Sequence, residues 1–282
     1  MLKHVICLST ALLLSTSFSY ANVVKVQKLN QNIYVLFGQG GNIAASIGED
    51  GIYIVDDQFA KLSDDIKNKL KDIKPDVPEF VINTHHHGDH TGGNENFAKS
   101  GGHIISHDNV RERLKDKHGE ASHYLPVLTF SKDINLHFND EHAKLVHYKN
   151  AHTDGDAIVF FDNANIVHMG DIYFNLNSLP FIDVNSGGSV NGVIDAVTDV
   201  LKKIDNNTQV IPGHGPISNK QELNNYLHLV KKAKELVLEA MKTNKTEQAI
   251  IDAQPLSPLK LTYSNWLPQE RVTKLFYQSL NK

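Results

Sequence analysis

The chain reads as an α/β protein in which two β-sheets pack face to face with helices on the outside. Three observations predict this. β-like runs and amphipathic helical stretches follow one another in the order strands, helix, strand, helices, then strands, helix, strand, helix, which two packed sheets accommodate. No linker, low-complexity segment or clear repeat breaks that order, so residues 22–282 are expected to form a single domain. Several β-like runs also begin or end in His and Asp clusters. The densest is Thr84-His85-His86-His87-Gly88-Asp89-His90-Thr91-Gly92-Gly93, directly after Phe80-Val81-Ile82-Asn83. A strand that runs out of apolar residues into neighbouring imidazoles points to a metal site at a sheet edge.

The N-terminus is expected to be removed. Lys3 and His4 precede an apolar run from Val5 to Leu14, and Ser19-Tyr20-Ala21 sets small residues at the two positions a signal peptidase reads. Residues 1–21 are therefore expected to be a secretory signal, leaving a mature chain that begins at Asn22. The run is half the length of about 20 residues that a membrane span needs, so no membrane association is expected after cleavage, and the destination is most simply the periplasm. Cys7 is the only cysteine of the chain. Its loss leaves no disulfide and no thiol nucleophile, and restricts any zinc site to nitrogen and oxygen ligands. The 28 Lys and Arg are scattered, without a basic run or interleaved aromatics, which argues against nucleic acid as a partner.

In chain order, Val23–Val26, Ile33–Phe37, Ile43–Ile47 and Ile52–Val55 are β-like runs separated by Asn-, Gly- and Asp-rich turns, the pattern of an antiparallel meander. Leu62, Ile66, Leu70 and Ile73 recur at helical spacing and Pro75 and Pro78 close that helix, which returns the chain to the strand that carries the histidines. Beyond them, Asn94 to Lys99 predicts a short helix and Ile104–Ser106 a strand. Asn109 to Leu114 predicts a helix capped by Asp108, and residues 115–126 a surface loop. Strands are expected at Val127–Phe130, Ile134–Phe138, Ala143–Tyr148, Ala157–Phe161 and Ile166–Met169. The apolar stripe from Val190 to Ile204 predicts a packed helix. Thr208–Ile211 follows as a strand, Lys220 to Lys242 as a long helix, and the tail from Thr246 as mostly helical.

Three further polar clusters sit where β-like runs begin or end: Ala151-His152-Thr153-Asp154-Gly155-Asp156, His168-Met169-Gly170-Asp171 and Pro212-Gly213-His214-Gly215. With the first cluster they offer His85, His87, Asp89, His90, His152, Asp171 and His214. These exceed the needs of one metal and suit two.

His85-x-His87-x-Asp89-His90, followed in order by His152, Asp171 and His214, resembles the metallo-β-lactamase superfamily, and Asp56 matches that family's first acidic position. The resemblance runs from about Val23 to at least Gly215. It implies an αββα sandwich of two mixed β-sheets flanked by helices, with two Zn2+ per chain along one sheet edge. It also implies His85, His87 and His152 on one zinc, Asp89, His90 and His214 on the other, and Asp171 between them. Asp56 is expected to accept a hydrogen bond from a ligand or a nearby amide. Asp154 and Asp156 are either helpers of that kind or turn residues. His86 is expected to point away from its neighbours, His123 is a candidate to face substrate, and Gly38 to Asn42 is a hairpin turn and a candidate flap.

The chemistry expected is hydrolysis by a zinc-bound hydroxide attacking the carbonyl of a small cyclic amide, ester or thioester, with Asp89 orienting the nucleophile and carrying its proton. Export favours a β-lactam, the leading specific expectation. The ligand set favours a glyoxalase II-like thioesterase or a lactonase. Asp171 stands where one subclass of zinc β-lactamases has cysteine, and Phe174 stands where that subclass has a substrate-binding lysine. An iron-dependent persulfide dioxygenase is the alternative of another class. The sequence leaves the oligomeric state open.

Overall fold

The structure is a computed structural model and describes residues 24–243 and 246–282; the expected signal segment and Asn22 lie outside the described residues. The first sheet opens as the expected meander. Strands β1 (Lys25–Lys28), β2 (Ile33–Phe37), β3 (Ile43–Ile47) and β4 (Ile52–Val55) pair antiparallel in sequence order. Helix α1 (Ser63–Lys71) then crosses back, so β5 (Phe80–Ile82) joins parallel to β4. After the short helices α2 (Gly88–Thr91) and α3 (Asn94–Ala98), β6 (His103–His107) adds in parallel to β5. Helix α4 (Asp108–His118) returns the chain to β7 (Leu128–Phe130), which is parallel to β6.

The second sheet repeats the plan. β8 (Asp133–Phe138), β9 (Glu141–His147), β10 (Ala157–Phe161) and β11 (Ile166–His168) form an antiparallel meander. The crossover through α5 (Val190–Lys203) places β12 (Gln209–Ile211) parallel to β11, and β13 (Ser218–Asn219) closes the edge. Helices α6 (Lys220–Thr243), α7 (Glu247–Asp252) and α8 (Gln269–Leu280) complete the described chain.

The two-residue period of the strands assigns the layers. Val35, Tyr53 and Val55 point from the first sheet to meet Leu145, Val159 and Phe161 of the second. Leu36, Ile52 and Ile54, one residue out of phase, face outward onto Ile66, Leu70 and Phe97. The outer face of the second sheet packs Ile158, Val167 and Val210 against Val197, Val230 and Phe276 of the C-terminal helices. Helices cover both sheets, which is why these strands are apolar on both faces instead of alternating. The result is the expected αββα sandwich.

Two local expectations are corrected. Helix α4 runs to His118, and its cap is His107, whose Nδ1 accepts the Asn109 amide at 3.1 Å. Val110 and Leu114 supply its buried face, so no further apolar residue marks its last turn. Lys115, Lys117 and His118 there suit the negative end of a helix. The tail is helical in α7 and α8, but residues 260–268 between them are irregular apart from a few bends.

Topology brings the polar clusters together. The parallel pairs β4–β5 and β11–β12 end at one edge, and β10, antiparallel to β11 with Val159 opposite His168, begins there. The Ala157 amide donates to Thr84 O at 2.8 Å and His168 Nε2 donates to Asn42 O at 3.0 Å, so the sheets are joined at this edge.

Candidate metal centre

Every expected ligand side chain lies at this edge, in two groups. In the first, His85 and His87 follow β5, and His152 precedes β10. The nitrogen of each ring that faces away from the centre is spoken for. Thr84 Oγ1 donates its proton to Asp56 Oδ2 (2.8 Å) and is left to accept from His85 Nδ1 (3.0 Å). His87 Nε2 donates to Asp183 Oδ2 (2.9 Å), and His152 Nδ1 donates to the Phe181 carbonyl (2.6 Å). Carboxylates and carbonyls only accept, so His87 Nδ1 and His152 Nε2 both present lone pairs, 2.9 Å apart. Two facing lone pairs repel unless a cation sits between them.

In the second group His90 Nδ1 donates to Asp56 Oδ2 (2.7 Å), which leaves Nε2 free. Asp89 Oδ2 lies 3.7 Å from that nitrogen and 3.3 Å from His214 Nε2. Asp171, in the 3-10 turn after β11, stands between the groups with one oxygen for each. Its Oδ2 is 3.7 Å from both His85 Nε2 and His152 Nε2, while its Oδ1 is 3.0 Å from His90 Nε2 and 3.4 Å from His214 Nε2.

Metal ions suit this arrangement on three counts. His85 Nε2, His90 Nε2 and Asp171 Oδ1 are buried and make no hydrogen bond, although His90 Nε2 and Asp171 Oδ1 are within reach of each other. Such atoms are costly unless a cation satisfies them. The ligand atoms of His85, His87, His152 and Asp171 lie within 4.8 Å of one another, as do those of Asp89, His90 and His214. Tetrahedral donors at about 2.0–2.1 Å from zinc are separated by about 3.3 Å, close to the spacings seen. The carboxylate shared between the groups makes the site binuclear. The described residues include no cysteine, so imidazole and carboxylate are also what they have to offer such an ion.

The groups differ electrostatically. Burial, reinforced by neighbouring histidines, holds His85 well below the usual imidazole value and His152 at about 4, so these two imidazoles are neutral. Burial opposes protonation in the second group too, but the Asp171, Asp89 and Asp56 carboxylates outweigh it at His90, and Asp171 and Asp89 raise His214 to about 9. Asp171 and Asp89 are in turn held ionised by His90 and His214 against their own desolvation.

Asp56 does what was expected of it, accepting from His90, from Thr84 Oγ1 and from the Thr84 amide at 2.8 Å. Asp156 is the helper, taking the amides of His152 (2.6 Å) and Thr153 (2.9 Å), whereas Asp154 pairs with Arg113 and ties α4 to this loop. His86 turns away and approaches Ser186 Oγ at 3.4 Å. His123 is exposed and is not part of the cleft wall, so its expected role facing substrate is not supported.

The hairpin at Gly38 to Asn42 is a fastened support. Gly41 donates to Asp89 O (3.0 Å), Gln58 Nε2 donates to Gly41 O (2.7 Å), and Asn42 Nδ2 reaches Pro212 O (2.9 Å) and Gly215 O (2.8 Å). A Cβ at Gly41 would stand 2.1 Å from His90 Cε1, and one at Gly213 2.1 Å from Asp171 Oδ1, so both positions need glycine for close approach. Only Gln39 of this hairpin reaches the cleft.

Sequence reasoning missed Asp183, the Phe181 carbonyl and the cleft itself. Asp183 sits in an irregular stretch 96 residues from His87, with no local signature. The cleft, about 900 Å³, opens over Asp89, Asp171 and His214 and is walled by Phe59, Phe174, Phe181 and Trp266.

A sandwich whose joined edge carries two ligand groups around a shared carboxylate defines a binuclear metal-binding site. The model of the Metallo-beta-lactamase superfamily matches residues 49–218, a span that holds all seven expected ligands, and the chain belongs to that superfamily. Among curated relatives, a probable hydroxyacylglutathione hydrolase of Schizosaccharomyces pombe is 30% identical over 152 residues, 53% of this chain and 52% of that protein. The chain thus spans about half the length of this relative. The Metallo-beta-lactamase type 2 of Bacillus cereus is 25% identical over 219 residues, 74% of this chain and 83% of that one. The solved metallo-beta-lactamase from Pontibacter korlensis superposes with a TM-score of 0.66 at 15% identity, over 74% of this chain and 99% of that chain, a likeness of fold. Among the described residues no helix is long and apolar enough to cross a membrane.

Proposed function

We propose that the chain is a binuclear zinc hydrolase acting on the carbonyl of a thioester, ester or lactone. The observation that carries this reading is Asp171, one oxygen toward each ligand group, with Phe174 three residues on where a carboxylate-binding lysine would favour a β-lactam. Its ring lies 5.0 Å from His214, on the cleft wall. The hydroxyacylglutathione hydrolase relatives support the same choice.

His85, His87, His152 and Asp171 would hold one zinc, and Asp89, His90, His214 and Asp171 the other. Bound there, the pair supplies Lewis acidity and makes water acidic enough to act as a nucleophile near neutral pH. The chain contributes the rest. The hydrogen bonds to Thr84, Asp183, Phe181 and Asp56 fix which nitrogen of each imidazole faces the centre. Asp89, ionised and on the cleft wall, is the one ligand carboxylate with substantial access to the cleft, and accepts the proton that the attacking water gives up. The apolar walls keep bulk water from competing.

β-Lactam hydrolysis is the second reading, favoured by the longer match to the Bacillus cereus enzyme. A thioester, a lactone and a chromogenic cephalosporin assayed side by side decide between them. The first two are expected to be turned over at least about tenfold faster in kcat/KM, a margin of about 1.4 kcal/mol; a cephalosporin preferred by that margin would reverse the assignment. The signal expected at residues 1–21 would put the reaction in the periplasm, and an intact mass beginning at Asn22 in that fraction is the expected result.

A further inference from the structure

We infer that the cleft selects substrates whose acyl group is an uncharged apolar chain or ring, seated on a wall formed by Phe181 and Trp266 beside the first ligand group. The inference rests on the hydrolase reading and narrows it. Phe181 lies 5.8 Å from both His87 and His152, and Trp266 continues that wall with its ring 5.0 Å from Phe181. Trp266, Leu176 and Phe59 are 57%, 52% and 36% exposed around the mouth, an apolar rim that water covers poorly until a ligand does.

Charge gives the second argument. Among the residues that wall the cleft there is no Lys or Arg. The Arg271 guanidinium stacks on this wall. Its Cζ stands 4.8 Å from the Trp266 ring centroid and 5.1 Å from that of Phe181, and Nη1 donates to Trp266 O at 2.7 Å. Arg271 braces the two rings and is not itself among the residues that line the cleft. The wall itself offers an acyl group aromatic faces and no Lys or Arg side chain from its lining, so it favours an apolar chain or ring over a charged one. Thr262, Tyr263, Trp266 and Leu267 also lie beyond the span matched by the superfamily, so the Trp266 side of this wall belongs to the chain's C-terminal segment.

Trp266 is the only tryptophan in the chain, so its emission reports on this wall whether or not turnover occurs. The zinc-loaded mature protein is titrated with acetate, hexanoate, phenylacetate and succinate. Hexanoate and phenylacetate are expected to shift the emission and to bind about tenfold or more tighter than acetate or succinate. Succinate binding as tightly as hexanoate, or emission indifferent to every acid, would overturn the inference. In a parallel assay of N-acetylcysteamine thioesters, kcat/KM is expected to rise about threefold per added methylene from acetyl to hexanoyl. Trp266→Ala should lower the hexanoyl-to-acetyl ratio about tenfold. Leu176→Arg, at an exposed rim position, should raise the succinyl-to-hexanoyl ratio. A flat acyl series, or a wild-type preference for succinyl, defeats the inference and leaves the hydrolase reading standing. Selective apolar acid binding with no thioester turnover leaves the wall standing and defeats the thioesterase reading.

Discussion

The two halves of the metal centre use the same residue type in opposite electrical states. His85 and His152 are buried among other imidazoles and stay neutral, so these two take a cation without losing a proton. His90 and His214 are surrounded by Asp171, Asp89 and Asp56 and hold protons in the metal-free protein. One half is built to be ready, the other to exchange protons for a cation. Asp171 touches both and couples them, which explains how one strand end, His85 to His90, serves two ions with different demands.

That contrast can be broken or sharpened by experiment. Asp171→Ala removes the shared carboxylate and should cost kcat/KM on the order of a thousandfold, with metal content falling below two equivalents. Asp89→Asn keeps the shape but removes the proton acceptor, and should cost about a hundredfold in kcat, while the first half retains its ion. Asp183→Asn should weaken zinc binding by about tenfold or more at the first half alone, because Asp183 bonds only His87 among the ligands. If both halves weaken equally, they are not independent in the way described.

Proton linkage gives a smaller and directional effect. His214 titrates at about 9 in the metal-free site, so below that pH a cation must displace its proton. Affinity of the second half should therefore rise by about tenfold per pH unit for each proton released, with the His214 contribution ending above about 9, and more steeply than that of the first half. Calorimetry in buffers of different ionisation enthalpy reads the protons directly. Smallest of all, Gly41→Ala should destabilise the fold by about 1–3 kcal/mol, since the added Cβ meets the His90 ring, with the second half loosened more than the first.

The parts that were legible in the sequence share a property. The ligands sit in four short clusters whose residue types and strand-end positions are local, and Asp56 follows a clear strand, so both were readable one segment at a time. Asp183 and Trp266 were not. Asp183 acts on His87 from 96 residues away, and its neighbours Phe181 and Ile182 give no period that singles it out. Trp266 lies in an irregular segment where nothing in the local pattern says which way the chain passes the sheet edge. The Gly38 to Asn42 turn was readable as a turn, but its attachment to Asp89 O and Pro212 O belongs to tertiary packing. Helix α4 outran its expected end because a charged last turn leaves no apolar mark.

Zinc titration of metal-free mature protein, followed by calorimetry and by metal analysis of protein purified without added metal, tests the central claim most directly. Two equivalents per chain are expected, one binding with little proton release and one whose affinity climbs with pH, and Asp171→Ala should lose the second event. A single equivalent unaltered in Asp171→Ala, or two events with identical pH dependence, would contradict the account, as would iron in place of zinc.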